Sequence, residues 1–359
     1  MKSALDLSLE EWKQWCALAG FPSFTAKQIF DWIYKKGSLQ SENFSNLSLP
    51  VREKLKEFCW DLMEIDSHLT SVDLSEKFLL KTRDDQLLEM VVMPTEKRTT
   101  LCISSQVGCR MGCTFCQTGK MGLKRNLTSG EILAQIHIAN AALKDKKITN
   151  VVFMGMGEPL DNYEEVVKAS AIMIDPLGFG LSKSRVTIST SGLVPEIEQL
   201  GKDLPVRLAI SLHSCEDEKR SKMMPVNRRY SLAMLKEVLL NYPAPPRHGI
   251  TFEYVMIEGV NDSLQDAKKL VHYLHGLKAK VNLIPLNHFP GVEMQASSKE
   301  RLNNFQSYLS ERSIPAPIRY SRGQDISGGC GQLAAKRESE LKMDPRVLHR
   351  ERRKLFQLM

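Results

Sequence analysis

Beyond residue 150 the chain alternates short aliphatic runs with helix-patterned stretches, and this alternation limits the fold more than any other feature. The runs span residues 151–154, 186–189, 206–212, 250–256, 281–285 and 318–320; one helix-patterned stretch, 131–143, leads into them, and those between them span 164–174, 232–240, 264–274 and 299–309. Short apolar strands separated by helices are the pattern of βαβ units, in which parallel strands are joined by crossover helices. Six units fall short of the eight that close a full barrel. The expected fold class is therefore α/β, a partial (βα)6 barrel over residues 99–335, preceded by a β-rich lead-in over 76–98. Residues 87–93 and 100–104 read as its first strands.

The front of the chain differs. Trp12, Trp15, Trp32 and Trp60 are the four tryptophans, all within the first sixty residues. Ser8-Leu9-Glu10-Glu11 and Thr25-Ala26-Lys27-Gln28 each read as a capping box, and Ile29, Phe30, Ile33 and Tyr34 then recur at helical spacing. A small helical domain is expected over residues 1–75. Lys27, Lys35 and Lys36 suit either an RNA-touching surface or a solvated helix face. Residues 336–359 hold eight Lys/Arg against four Asp/Glu and read as a basic terminal helix. No window approaches the roughly 18 apolar residues of a membrane span, and the first residues alternate apolar with charged side chains. Neither export nor membrane spanning is expected, and the cytoplasm is the expected location. A net charge of +7 permits a polyanionic partner without demanding one.

Eight cysteines stand at 16, 59, 102, 109, 113, 116, 215 and 330. Three fall within the stretch 109–116, which suits a metal or redox site in a reducing compartment better than a disulfide framework. Cys109, Cys113 and Cys116 have C-x-x-x-C-x-x-C spacing just after an expected strand. Structural zinc takes four protein ligands, and the next candidate, His137, lies inside an expected helix. Iron–sulfur clusters are held by cysteine thiolates, and three of them leave one iron open to a substrate or cofactor. A zinc knuckle completed from a distance is the alternative.

With Phe115 before its last cysteine, this loop resembles the defining motif of the radical S-adenosylmethionine enzymes. Met154-Gly155-Met156-Gly157-Glu158-Pro159 resembles the glycine-rich motif that follows a strand in that superfamily. The likeness narrows to the RlmN/Cfr family through Leu101-Cys102-Ile103-Ser104-Ser105-Gln106-Val107-Gly108-Cys109, Ser211-Leu212-His213, Val281-Asn282-Leu283-Ile284-Pro285 and Cys330-Gly331-Gln332-Leu333. It extends to Phe21-Pro22 and Ala26-Lys27-Gln28-Ile29-Phe30, and so covers almost the whole chain.

The resemblance implies a methyltransferase acting on an adenine of 23S rRNA and of tRNA. Pro159 and Val107, where the Cfr type has alanine and cysteine, imply carbon 2 rather than carbon 8. Carbon 2 of adenine is electron-poor and cannot attack a sulfonium methyl as a nucleophile, so a radical route is required. By resemblance, Cys109, Cys113 and Cys116 hold a [4Fe-4S] cluster, and Gly157, Glu158, Ser189, Ser211, Leu212, His213 and Asn287 line the S-adenosylmethionine site. Cys330 takes a methyl group from one S-adenosylmethionine, and a radical derived from a second activates it. Glu89 removes the carbon 2 proton, and Cys102 attacks the Cys330 sulfur, leaving a disulfide. An electron donor such as flavodoxin and a monomeric enzyme are further implications.

Each residue also has an ordinary structural explanation. Glu89 could be an exposed strand carboxylate, His213 and Asn287 satisfied polar residues at strand ends, and Cys16, Cys59 and Cys215 small buried apolar residues. Lys120, Lys124, Arg125, Lys183, Arg185, Arg228 and Arg229 are expected on loops beside the motifs, a rim suited to a phosphate backbone, with the target base splayed out. Where the family carries two alanines before Cys330, this chain has Ser327-Gly328-Gly329, which is expected to loosen the loop. His288 in place of a proline is expected to be neutral. A rival of another class is a non-catalytic RNA-binding protein holding zinc or an iron–sulfur cluster, distinguished by iron analysis together with S-adenosylmethionine cleavage.

Overall fold

The computed structural model describes residues 2–61, 63–143, 146–244 and 249–335, so the expected basic helix over 336–359 lies outside the described residues. The chain begins with a 3-10 turn, Ala4–Asp6, and three helices, α1 (Leu9–Leu18), α2 (Phe24–Tyr34) and α3 (Leu49–Leu55). Ser8 caps α1 as expected. Its Oγ accepts the Glu11 N–H at 3.3 Å while the Glu11 carboxylate accepts the Ser8 N–H at 2.7 Å. The second capping box does not form, because the Pro22 carbonyl already accepts the Thr25 N–H at 3.0 Å and Thr25 lies buried inside α2. Trp12, fully buried, stacks with Trp60 and packs against Phe58, and the other three tryptophans, half-buried, close around the core of this unit.

Strands β1 (Glu64–Thr70), β2 (Glu76–Lys81) and β3 (Leu87–Pro94) form an antiparallel meander. The first falls within the stretch expected to be helical. It is an edge strand of mostly polar residues, so it carries little of the apolar alternation by which strands are read. Strand β4 (Thr99–Cys102) runs antiparallel to β3, and a separate ribbon of β5 (Gln106–Cys109) and β6 (Gly122–Asn126) follows, with the single-turn helix α4 (Gln117–Lys120) between its strands. Then come α5 (Ser129–Ala142), β7 (Asn150–Phe153), α6 (Tyr163–Ile174), β8 (Val186–Thr190), α7 (Val194–Asp203), β9 (Arg207–Ser211), α8 (Asp217–Met223), α9 (Leu232–Asn241), β10 (Ile250–Met256), α10 (Leu264–Leu274), β11 (Ala279–Pro285) and α11 (Lys299–Ser310).

Nine strands make one sheet in the order β1-β2-β3-β4-β7-β8-β9-β10-β11, and the last six run parallel, the partial (βα)6 barrel. The parallel strands are six, but the set differs from the expected one. Strand β4 supplies the first, and residues 318–320 contribute only a bridge from Ile318 to Leu283. Pro315 and Pro317 accept hydrogen bonds from Val281 and Leu283 but have no N–H to return, which prevents a full ladder. The helical unit packs on the barrel, since Asp6 accepts the Gly130 N–H at the start of α5 and Glu11 pairs with Lys168 of α6 at 2.6 Å. Among the described residues no helix is long and apolar enough to cross a membrane.

Candidate active site

Cys109 closes β5, and Cys113 and Cys116 follow on the loop that leads into α4. The loop is tied from both sides, with the Thr114 N–H on the Met223 carbonyl at 3.0 Å and the Gln117 N–H on the Gly331 carbonyl at 2.8 Å. Burial pushes all three thiols up, Cys109 to about 12, and Cys113 also feels Cys116 and Cys109. Ionised together, they would repel one another unless a cationic centre were shared among them. A zinc ion about 2.3 Å from each sulfur would need the three sulfurs within about 4 Å of each other. Among the described residues no group of three His, Cys, Asp or Glu is arranged to hold one metal ion. Three thiols on one loop that face one cavity fit a thiolate-held cluster.

One cavity is lined by Cys109, Cys113 and Cys116 together with Gly157, Glu158, Ser189, Ser211, His213, Asn287 and Cys330. These come from β5 and its loop, from the C-terminal ends of β7, β8, β9 and β11 or the loops after them, and from the final described loop. Gly157 has φ +108°, and a Cβ there would stand 2.7 Å from Ser105 Oγ and Gln106 Cβ. Glu158 is buried, which raises its pKa, and its carboxylate accepts the Leu160 and Ser191 N–H groups at 3.1 and 2.7 Å. His213 is held neutral by burial, its pKa lowered to about 3. Its Nδ1 accepts the Val255 N–H at 2.9 Å, so the ring proton resides on Nε2. The ring stands edge-on to Phe115 at 4.7 Å. Leu212 does not line the cavity. Its side chain is in the core, and its N–H and C=O are taken by Glu253 and Arg220.

Cys330 is solvent-exposed, yet the surrounding walls push its thiol up to about 11. Burial and then the field of Cys330 raise the Cys102 pKa, so the two thiols lie close enough to interact, and both are free. Cys102 pairs in register with Val91, and Val91 with Lys77, which sets Cys102, Lys77 and Glu89 on one face of the sheet. Glu89 is 2% exposed, so it is not the solvated strand carboxylate of the ordinary explanation. Its Oε1 is 3.0 Å from Lys77 Nζ. Its Oε2 accepts the N–H groups of Ala334 and Ala335 at 2.6 and 3.0 Å, so the segment that follows Cys330 docks on Glu89.

The glycines before Cys330 lie in a close-packed part of the loop. Neither Gly328 nor Gly329 uses a positive φ, and a Cβ at Gly329 would meet Gln332 Oε1 at 2.7 Å and Asn287 Nδ2 at 2.9 Å. Asn287 Nδ2 in turn donates to the Cys330 carbonyl at 2.9 Å and to Ser321 Oγ at 2.7 Å, so the loop is tightly held. His288 offers the loop its backbone carbonyl, which Gln332 Nε2 engages at 2.7 Å.

The basic rim is smaller than expected. Arg125 is consumed by Asp84 and Glu131. Lys183 and Arg185 precede β8 and stand at the opposite end of the strands from the cavity. Lys120, Lys124, Arg228 and Arg229 remain on the site side, though Lys120 donates to the Gly291 carbonyl at 2.7 Å.

The sequence reading missed three groups. Lys77 carries no motif. Glu253, buried on β10, lines the cavity and holds Asn282 at 2.7 Å. Arg220 is fully buried and donates to the carbonyls of Ser191, Ser211 and Leu212, tying together the loops around Ser189, Ser211 and His213. A single arginine in a run as polar as that of α8 is indistinguishable from a surface charge by sequence.

Residues 103–271 match the family model of the radical SAM superfamily, and residues 3–60 match that of the ribosomal RNA large subunit methyltransferase N-terminal domain. A dual-specificity RNA methyltransferase RlmN of Geotalea uraniireducens is 44% identical over 94% of this chain and 98% of its own length. The protein of the same name from Campylobacter fetus is 44% identical over 95% and 100%. The crystal structure of a radical SAM methyltransferase from Sphaerobacter thermophilus superposes with a TM-score of 0.88 at 41% identity, covering 94% of this chain and 100% of that one. On this similarity, spread over both the helical unit and the barrel, the chain belongs to the RlmN family of radical SAM RNA methyltransferases.

Proposed function

We propose that the enzyme methylates carbon 2 of an adenosine in 23S rRNA and in tRNA through a methyl group carried on Cys330. The observation that supports this most is the docking of the Cys330 segment onto Glu89, on the sheet face that also bears Cys102, beside the three-cysteine cavity. The relatives' shared description as dual-specificity RNA methyltransferases agrees with it. Cys109, Cys113 and Cys116 would hold a [4Fe-4S] cluster, and Gly157, Glu158, Ser189, Ser211, His213 and Asn287 would face S-adenosylmethionine, two molecules of it per turnover. Leu212 keeps the strand end between Ser211 and His213 in place. When bound, the two groups supply the radical that activates the methyl carbon.

The chain's own residues then divide the work. Buried and neutral, His213 offers an N–H rather than a charge, and Glu158 offers a carboxylate to a cationic amine. The activated carbon on Cys330 bonds to carbon 2, and Glu89 takes the carbon 2 proton while the surplus electron of the adduct would leave to a one-electron acceptor. The Cys102 thiolate attacks the Cys330 sulfur, the sulfur–carbon bond breaks with its electron pair going to carbon, and that carbon takes up a proton to become the methyl group. A Cys102–Cys330 disulfide remains, to be reduced before the next cycle. We place the reaction in the cytoplasm, with the enzyme acting as a monomer and drawing electrons from a donor such as flavodoxin. Mass mapping of methyladenosine isomers in rRNA and tRNA from a deletion strain tests the reading. Loss of 2-methyladenosine from both RNAs, restored by the gene, is expected; loss of an 8-methyl isomer instead would assign the Cfr-type reaction.

A further inference from the structure

We infer that Lys77 is a positioning residue for proton removal, holding Glu89 as a buried, oriented carboxylate at the face where the Cys330 segment docks. The inference rests on the reading of Glu89 as the proton acceptor and extends it to a residue with no motif of its own. The register of β2 against β3 pairs Leu79 with Glu89 and Lys77 with Val91, so Lys77 lies diagonal to Glu89 on one face. Nζ and Oε1 are 3.0 Å apart, and the two side chains are 5% and 2% exposed.

Such a pair does little to hold strands together. Six ladder pairs already join β2 to β3, and a buried ion pair adds little stability over an apolar pair of the same volume. What it does is keep a negative charge where water cannot. Held at Oε1 by the ammonium and at Oε2 by two backbone N–H groups, the carboxylate is fixed in one orientation, and accepting a proton from carbon 2 depends on that orientation.

The other groups around Glu89 do not replace the ammonium. From β4 the Cys102 thiol shares its face, the docked segment contributes the backbone N–H groups of Ala334 and Ala335, and Ser104 and Met156 engage only the Glu89 backbone. Among the described residues Lys77 is the only cation paired with it. In the step itself the carbon 2 proton passes to a Glu89 oxygen and the bonding pair stays with the base. Lys77 keeps its own proton throughout.

The test uses the full-length, cluster-loaded enzyme under anaerobic conditions, with wild type, Lys77→Met, Lys77→Arg and Glu89→Gln followed across a pH series. Deoxyadenosine, methylated RNA and the protein–RNA adduct are measured in each sample. In Lys77→Met RNA methylation should fall by about 10²-fold at the acid end of the series, as loss of a working general base does, with adduct accumulating there, deoxyadenosine unchanged, and methylation recovering as pH rises. Lys77→Arg should stay close to wild type. If the Met variant forms no deoxyadenosine, Lys77→Gln, neutral but hydrogen-bonding, is read in its place. A wild-type pH profile in the neutral variant, with Glu89→Gln inactive in methylation, overturns the role of Lys77 alone. Normal methylation by Glu89→Gln overturns the reading of Glu89 and this inference with it.

Discussion

The same side chain, cysteine, meets three different surroundings in this protein. Cys109, Cys113 and Cys116 lie together on one cavity wall, Cys330 stands open in the cavity, and Cys102 is buried at a strand end. Burial holds Cys102 as the neutral thiol, and only the thiolate is a nucleophile, so it is inert until the local environment changes. Replacing it should stop the last step and nothing before it. Cys102→Ala is expected to purify with RNA joined to Cys330, seen as a nucleotide adduct on the Cys330 peptide after ribonuclease digestion. A cluster-loaded, deoxyadenosine-forming Cys102→Ala with no adduct would count against the two-cysteine route. The three-cysteine loop is legible in the sequence because its ligands are contiguous. Glu89 is legible only by resemblance, because its own neighbours, Leu88 and Met90, read as an ordinary strand and its partners come from other segments.

At the scale of elements, the start of α5 shows how the helical unit is fastened to the barrel. Its first three N–H groups are met from three places: Ser129 by Glu165, Gly130 by Asp6 at 2.8 Å, and Glu131 by Thr128 at 3.2 Å. Asp6 belongs to the opening turn, so one carboxylate both caps a barrel helix and docks the N-terminal unit, in favourable alignment with the helix dipole. Asp6→Ala should lower unfolding stability by about 1 kcal/mol, as a lost cap does, with deoxyadenosine formation preserved; denaturant unfolding measures it, and a change within error would deny the cap its role. Most elements with an apolar period were readable, and β10 and α10 match their expected limits, whereas α7, with Val194, Ile197 and Leu200 at helical spacing after a proline-bearing start, was missed. Those without one were not. The run Asp-Glu-Lys-Arg-Ser-Lys-Met of α8 has only Met223 as an apolar residue, and what holds it is Arg220 reaching inward to three carbonyls, an interaction that leaves no periodic trace.

For the molecule as a whole, the main apolar core of the described residues includes none of Cys109, Cys113 and Cys116. One continuous apolar cluster runs from Leu5 and Trp12 through the strands to Leu309 and Leu333. Changing Cys109, Cys113 and Cys116 together to Ala should therefore abolish iron retention and deoxyadenosine formation while leaving the far-ultraviolet circular dichroism spectrum unchanged; retained iron in the triple variant would refute the ligand set. The overall architecture follows from local patterns, whereas the reacting face does not, since it joins β2, β3, β4 and a segment about 245 positions after Glu89. That last contact has a mechanical consequence. Cys330 and the two amides that rest on Glu89 belong to one short stretch of backbone, pinned between by the Thr118 hydroxyl on the Leu333 carbonyl. Under the proposed reading, the carrier of the carbon and the acceptor of the proton would be coupled in series, like two hands on one rope, and a displacement of Cys330 toward a guest base would pull directly on the covering of the carboxylate that serves it.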